Sequence, residues 1–443
     1  MFTDHIDEYV QQLSEGLRAL DRAATWDVIN ELMRAWRERR QVIILGNGGS
    51  GALASHMVND LNKIVVPGQP RFRALALTDS MPLLTAWAND SAYADVFSEQ
   101  LLNYCMPGDL VIAVSCSGNS PNVLKALQTA HELGARTVGW TGDTGGRLKN
   151  MVDICVHAPV LYIGQQEDVH LILNHAVTSA LKRWITAIAR HATELPRAVV
   201  LAAGEGTRLR PLTLTRPKPM LPINGEPLLH YTLQWLKQHG IHDVAINLHH
   251  CPEVIVDHFG DGARMGMRIV YSHEDRILGT AGAVRKLERF MDGRPLVVVY
   301  GDVLTDFDLT ALIAAHNENI ARDPSTGVTM CLYRVPNPTE VGLVGTDASG
   351  RITRFVEKPR PSEVFTDLAN AGIMIIEPEI TNSVPADTFY DFGMHLLPQL
   401  LERGVAMYGW VIPDSAYVID IGSPEKYAQA QQDWHARQGR VPR

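Results

Sequence analysis

Apolar residues recur along the chain in two alternating rhythms. Ile6, Val10, Leu13, Leu17 and Leu20 fall at three- and four-residue steps, which predicts an amphipathic helix over 5–21 with one apolar stripe. Short, nearly continuous apolar runs follow: QVIIL (41–45), FRALAL (72–77), DLVIAVS (109–115), RTVGWTG (136–142) and DICVHAP (153–159). Helical patterns such as 120–134 separate them. That alternation predicts buried strands of a parallel sheet covered on both faces by helices. A long helix is expected at about 166–190. The polar segment HATELP (191–196) interrupts the pattern, which then restarts. AVVLAA (198–203), DVAINL (243–248), RIVYSHE (268–274) and PLVVVYGD (295–302) read as strands, and 227–239, 281–291 and 309–319 as helices. Beyond about 325 the strands crowd together and mix, and a last helix spans about 424–437. The reading is two α/β domains in tandem, at 1–190 and 197–443, joined by a linker at 191–196.

Composition narrows the class. A length of 443 residues, 46% hydrophobic and 20% charged, fits a soluble multidomain protein. The net charge of -9 argues against a general nucleic-acid binder. The acidic N-terminus lacks the features of a signal peptide, and no apolar run is long enough to span a membrane. Cys105, Cys116, Cys155, Cys251 and Cys331 are scattered with no CxxC, as in a reducing cytoplasm, so a cytoplasmic location is expected.

Phosphate chemistry is written at the strand ends. AVVLAA runs into Gly204-Glu205-Gly206-Thr207-Arg208, with Lys218 ten residues beyond Arg208. Glycines after a strand let backbone N–H groups approach a phosphate, and the two cations add fixed charge; a bare GxG serves equally as a tight turn. The longer string LAAGEGTRLRPLTLTRPKPMLP (201–222) closely resembles the signature of sugar-1-phosphate nucleotidyltransferases. The resemblance continues in order through LGTAGA (278–283), YGD (300–302), FVEKP (355–359), NAGI (370–373), DFG (391–393) and DIGSPEKY (420–427). It implies a Rossmann-like domain with a mixed central sheet. Its metal aspartates fall on Asp302 and Asp420, which suit Mg²⁺. Arg208 is implied to bind the triphosphate and Lys218 to bridge the reacting phosphates. Gly204, Gly206, Thr207, Gly279 and Thr280 are implied on the nucleotide side, and Gly342, Glu357, Lys358 and Asn370 on the sugar side. The loop looks most like guanylyltransferases acting on mannose or heptose 1-phosphate. Val341 and Val418 stand where the family often has an aromatic residue and a tryptophan, which bears on the sugar.

The first half carries two small-residue turns, Gly46-Asn47-Gly48-Gly49-Ser50 and Ser115-Cys116-Ser117-Gly118-Asn119-Ser120, each after a strand and before a helix. Such turns bind phosphate through backbone N–H groups, and each alone serves equally as a helix N-cap. Together they resemble the sugar isomerase (SIS) family, and within it phosphoheptose isomerase, over about residues 5–186. The closest strings are GNGGS, AWAND (86–90), SGNSPNV (117–123) and EDVHLILNH (167–175). An SIS-type parallel αβα sandwich is implied. His56 and Asp60, four apart, project from one helix face, and Glu167 and His175 lie about two turns apart on a later helix. Two histidines and two carboxylates suit Zn²⁺ or a similar ion. The family's base falls on Asp60 and its acid on His175, with His56 and Glu167 at the other ligand positions. Ser115, Ser117 and Ser120 fall on the phosphate site, and Asn47, Gly48, Ser50, Asn89 and Asp90 on other substrate contacts. The family more usually has glutamate at the position of Asp60 and glutamine at that of Glu167.

Together the halves imply a bifunctional enzyme of activated-heptose synthesis. One half isomerises sedoheptulose 7-phosphate, and the other makes GDP-heptose from GTP and heptose 1-phosphate. The alternative is a mannose-1-phosphate guanylyltransferase, or another sugar nucleotide pyrophosphorylase, with an SIS domain that only senses sugar phosphate. Sugar phosphates and a nucleoside triphosphate are the expected small-molecule partners. Neither nucleic acid nor membrane is expected as a partner. A homo-oligomer built through the SIS domain is expected, with the helix at 5–21 as a contact surface.

Overall fold

The computed structural model describes residues 2–438, so the last five residues of the 197–443 assignment lie outside the described part. The chain divides into two units, Met1–Ala189 and Arg190–Arg443.

In the first unit, β1 (Gln41–Gly46), β2 (Arg73–Ala76), β3 (Leu110–Ser115), β4 (Arg136–Thr141) and β5 (Ile154–His157) form one parallel sheet in the order β2-β1-β3-β4-β5. β3 is buried at every position, as its uninterrupted apolar sequence requires. Helices α1 (Phe2–Ala19), α2 (Arg22–Arg37), α3 (Gly48–Asn62), α4 (Met81–Asp90), α5 (Ser98–Tyr104), α6 (Pro121–Glu132) and α7 (Ile163–Thr193) surround it. Two apolar clusters, one centred on Val42, Ile44, Met57 and Trp140 and one on Ile43, Leu45, Phe97 and Leu127, give the sheet two covered faces. The stripe on α1 is only half used: Leu13 and Leu17 pack near Val160 and Val169, whereas Ile6 and Val10 are exposed. The helix α7 runs through Thr193, so HATELP is less of a loop than its polarity predicts; only residues 194–196 separate helix from strand.

The second unit contains β6 (Arg197–Leu201), the small hairpin β7 (Pro222–Ile223) and β8 (Glu226–Pro227), β9 (Asp243–Leu248), β10 (Arg268–His273), β11 (Leu296–Tyr300) and β12 (Val303–Thr305). β13 (Thr326–Arg334), β14 (Gly342–Thr346), β15 (Ile352–Glu357), β16 (Leu368–Ile376), β17 (Ala406–Val411) and β18 (Val418–Asp420) follow. The main sheet runs β10-β9-β6-β11-β16-β13-β17. Its first four strands are parallel, and β16 is antiparallel to both β11 and β13, which makes the sheet mixed. The expected helix at 281–291 is two pieces, α10 (Gly279–Lys286) and α11 (Glu288–Met291); α8 (Leu228–Gln238), α9 (Pro252–Phe259), α12 (Leu309–Arg322), α13 (Leu397–Glu402) and α14 (Pro424–Gln438) complete the unit. Among the described residues no helix is long and apolar enough to cross a membrane.

Candidate active sites

In the second unit the strand ends place the charged residues. β6 and β11 are parallel neighbours, so the glycine-rich loop after Leu201 and Asp302 after Tyr300 emerge at the same edge. The short strand β12 then pairs antiparallel with β18, setting Val303 against Asp420, and the Ile421 N–H donates to the Asp302 carbonyl. Aspartates more than a hundred positions apart in sequence are thereby juxtaposed. The Lys218 ammonium donates to Asp302 Oδ2 at 2.7 Å. Lys426 forms an ion pair with Asp420 Oδ2.

Two cavities meet here. One, of about 310 Å³, is lined by Gly204, Gly206, Lys218, Gly279 and Thr280, together with Asn247 and Glu274. The other, of about 220 Å³, is lined by Arg208, Gly342, Glu357, Lys358, Asn370, Asp420 and Lys426. Tyr300, Asp302 and Asp391 line both. The expected nucleotide-side and sugar-side residues therefore separate into two joined compartments with Asp302 between them. Arg208 belongs to the second compartment, and Thr207 is exposed at the loop tip outside both linings.

Local backbone shapes these compartments. Gly279 has φ +74°, and a Cβ there would lie 2.6 Å from the Tyr390 carbonyl, so only glycine fits. Behind it the Thr280 hydroxyl donates to Asp391 Oδ2 (2.8 Å) and accepts from Phe392 N–H (2.8 Å). Lys358 has φ +46°, a sparsely populated conformation for a side-chain-bearing residue, next to Glu357. Burial raises the Glu357 carboxyl pKa and Asp391 adds to the rise, while Lys358 opposes it. Burial likewise pushes the Tyr300 phenol far above its ordinary value, so it stays neutral.

A pair that no sequence motif announces, Asn247 and Glu274, stands at the base of the first cavity. Glu274 is only 5% exposed, yet it lines that cavity. Asn247 Oδ1 accepts from Ala202 N–H at 2.6 Å, and its Nδ2 donates to Glu274 Oε1 at 2.8 Å. Glu274 Oε2 accepts from Leu278 N–H at 2.9 Å. Both oxygens thus accept hydrogen bonds, and the carboxylate is fixed.

In the first unit, α3 and α7 bring His56, Asp60 and His175 together, with one ligand atom of each within 4.8 Å of the others. The two Nε2 atoms are 2.9 Å apart, and each faces Asp60 Oδ2, at 3.3 Å from His56 and 3.7 Å from His175. The shorter aspartate therefore reaches both rings. Asn174, fully buried, donates to the same Oδ2 at 2.7 Å. Glu167 does not join this group. It lies eight residues before His175, about 12 Å along a helix, and its carboxylate packs against Gly49. There it shares a cavity of about 310 Å³ with Ser50 and His56.

The serine loop is compact: Ser115 Oγ lies 3.5 Å from Ser117 Oγ and 3.4 Å from Ser120 Oγ. Asn47 is tied to Asn122 by reciprocal amide bonds of 2.9 Å and accepts from the Tyr93 hydroxyl at 3.0 Å. Gly48 has φ +52° and opens α3. Asn89 and Asp90 are exposed at the end of α4, where they hydrogen-bond each other at 2.8 Å.

A second cluster, His191, His316 and Glu377, is buried in the second unit. Both histidine Nε2 atoms meet Glu377 Oε1, at 2.9 and 3.0 Å, and Arg190 pairs with Oε2 at 3.1 Å. Arg190 already balances the carboxylate, so a divalent ion would add uncompensated buried charge. The arrangement is a hydrogen-bonded structural cluster.

A family model described as "Nucleotidyl transferase" matches residues 197–437, and one described as "SIS domain" matches residues 2–142. UTP--glucose-1-phosphate uridylyltransferase of Synechocystis sp. is 38% identical over 247 residues, covering 53% of this chain and 62% of that protein. Mannose-1-phosphate guanylyltransferase of Mycobacterium tuberculosis is 37% identical over 243 residues, covering 55% and 65%. The chain thus spans just under two thirds of the length of these relatives. Phosphoheptose isomerase of Aneurinibacillus thermoaerophilus is 32% identical over 181 residues, covering 41% of this chain and 89% of that protein.

Proposed function

Because the chain belongs to the nucleotidyl transferase family through residues 197–437 and to the phosphoheptose isomerase family through its first half, we propose a bifunctional enzyme of activated-heptose synthesis. Residues 1–190 form the isomerase domain, 191–196 the linker and 197–443 the transferase domain. The first converts sedoheptulose 7-phosphate to D-glycero-D-manno-heptose 7-phosphate. The second transfers GMP from GTP to D-glycero-D-manno-heptose 1-phosphate. A kinase and a phosphatase reaction must intervene between the two products.

The observation that carries the transferase reading is the pair of cavities joined at Asp302. A sugar phosphate oxygen approaches the α-phosphorus from the second cavity, the new P–O bond forms, and the bond to pyrophosphate breaks. Positioning and charge neutralisation supply the rate. Asp302 and Asp420, which line the same cavity, suit Mg²⁺, which neutralises phosphate charge when bound. Lys218 bridges the reacting phosphates, Lys358 binds the sugar phosphate with Arg208 beside it in the same compartment rather than on the triphosphate, and Glu357 and Asn370 hydrogen-bond the sugar hydroxyls.

Guanine is favoured by the Glu274 carboxylate. Guanine offers two adjacent donors, N1–H and N2–H₂, to such an acceptor. Uracil offers a single N–H flanked by carbonyls, which the carboxylate repels. The fused isomerase half favours a heptose over mannose.

In the isomerase domain, Asp60 takes the proton from the carbon next to the carbonyl, and His175 handles the proton on oxygen. The set His56, Asp60 and His175 fits a zinc-like ion, which polarises the substrate oxygens when bound. The serine loop holds the terminal phosphate at the start of α6. The exposed Ile6 and Val10 on α1 form a contact between copies of the chain.

The test is a panel of sugar 1-phosphates and nucleoside triphosphates scored by pyrophosphate release. GTP with heptose 1-phosphate is expected to give the highest kcat/KM. A preference for mannose 1-phosphate would replace the sugar assignment, and a preference for UTP would overturn the role of Glu274. Sedoheptulose 7-phosphate is incubated in parallel, with and without chelator. No aldose product under any metal condition would reduce the first domain to a sugar-phosphate sensor.

A further inference from the structure

Lys426 lines the second cavity and pairs with Asp420, yet it is none of the groups assigned to the reaction. It sits six residues beyond Asp420, in the first turn of α14, where Ser423 Oγ accepts its backbone N–H at 3.3 Å. Its ammonium is on Asp420 Oδ2, while Oδ1 accepts Gly422 N–H at 3.0 Å. Lys218 holds Asp302 Oδ2 in the same way at 2.7 Å. Each aspartate read as a metal ligand thus carries a lysine.

A divalent ion needs the same carboxylate oxygens. Two ammoniums and a dication on two carboxylates would leave a net positive charge of two units, so ion entry has to displace at least one lysine. Exposure decides which. The Lys218 side chain is 15% exposed and that of Lys426 is 36% exposed. Lys426 has the freer side chain and loses less by moving.

Its destination follows from the cavities. Lys218 lines only the nucleotide compartment, whereas Lys426 lines only the sugar compartment, with Lys358 and Arg208. A displaced Lys426 therefore remains where the phosphate of the sugar 1-phosphate enters.

We propose that Lys426 is an exchangeable counter-ion: it competes with the divalent cation for Asp420 and, when displaced, binds the sugar 1-phosphate. The inference rests on the metal reading of Asp302 and Asp420. It couples metal binding to acceptor binding, because the ion that takes Asp420 frees a cation for the second substrate.

The probe is Mn²⁺, titrated into the full chain and followed by the electron paramagnetic resonance of the free ion, without turnover. The Mn²⁺ class lost in Asp420→Asn defines the site. Lys426→Met is expected to tighten that class about three- to tenfold, the scale of a lost charge-assisted pair at a partly exposed position. In steady-state assays the same variant raises KM for the sugar 1-phosphate about tenfold and leaves KM for the triphosphate unchanged, and Lys426→Arg restores most of the acceptor affinity. A purely structural lysine would not tighten Mn²⁺ binding. Unchanged Mn²⁺ affinity in Lys426→Met, or an equal rise in KM for both substrates, would overturn the proposal. Unchanged Mn²⁺ binding in Asp420→Asn would instead overturn the metal reading beneath it.

Discussion

Substituting Glu274→Gln tests the proposed base-reading role of this carboxylate with a change of one heavy atom. The structure shows why an isosteric amide cannot replace it. Asn247 is locked in one orientation, because its Oδ1 accepts from Ala202 N–H and its Nδ2 must then face Glu274. Leu278 N–H faces the other oxygen. A glutamine would turn its NH₂ toward one of these donors in either orientation, at a site 5% exposed. One buried donor loses its acceptor, at a cost of about 1–3 kcal/mol in stability. The amide also offers guanine a neutral acceptor at best. A hydrogen bond to a charged partner contributes about 1.5–3 kcal/mol, so the preference for GTP over UTP should fall by roughly ten- to a hundredfold. The assay is kcat/KM for both nucleotides by pyrophosphate release, with thermal unfolding as a control for folding. The thermal midpoint should drop by a few degrees, about 2–4 °C per kcal/mol for a domain of this size. A folded Glu274→Gln enzyme whose GTP/UTP ratio stays within about twofold of the parent would refute the assignment of Glu274 to the base.

Three further outcomes follow from the same geometry. His175→Ala should abolish formation of the aldose phosphate and spare pyrophosphate release, whereas Lys218→Ala should cut nucleotidyl transfer by about 10²–10³-fold and spare isomerisation; separate assays of each variant check this, and joint loss of both activities would contradict it. Acid stability should depend on Glu377. Burial opposes its ionisation, but hydrogen bonds from His191 and His316 outweigh that and hold the carboxyl at about 2, below the ordinary 4.5. A depressed carboxyl contributes stability above pH 4.5 that is lost as pH falls towards 2, on the order of 3 kcal/mol. Burial also lowers the pKa of His316 below 6.5, which acts in the same direction on acidification. Unfolding midpoints between pH 6 and 3 should therefore fall less steeply in Glu377→Gln than in the parent, and parallel slopes would count against the cluster. Ile6→Asp with Val10→Asp should shift the sedimentation coefficient towards the monomer, and no shift would place any contact between copies elsewhere.

Strand and helix order were legible because the apolar runs are long and uninterrupted. β3 and β9 were readable for that reason, and both are buried almost throughout. The helix end at Thr193 was misread because HATELP is polar, yet His191 finds buried hydrogen-bond partners on Glu377 and elsewhere that no local pattern announces. At the sites, Lys218, Asp302 and Asp420 were legible from strings of neighbouring residues, whereas Glu274 and Asn247 were not. They sit at the ends of two adjacent parallel strands, β9 and β10, and only the register that pairs Asn247 with Ser272 brings the amide to the carboxylate. Glu167 shows the converse limit. Helical spacing put it on the same helix as His175, but eight residues of rise carry it to Gly49 at the start of α3, where it shares a cavity with His56 without joining the cluster of His56, Asp60 and His175. Spacing along one helix gives candidate ligands; the crossing helix decides which of them converge. Here α3 brings His56 and Asp60 opposite His175, and buried Asn174 fixes the carboxylate that both rings share. The neighbouring amide thus holds the shorter aspartate carboxylate facing both rings, where the related isomerases more usually carry glutamate.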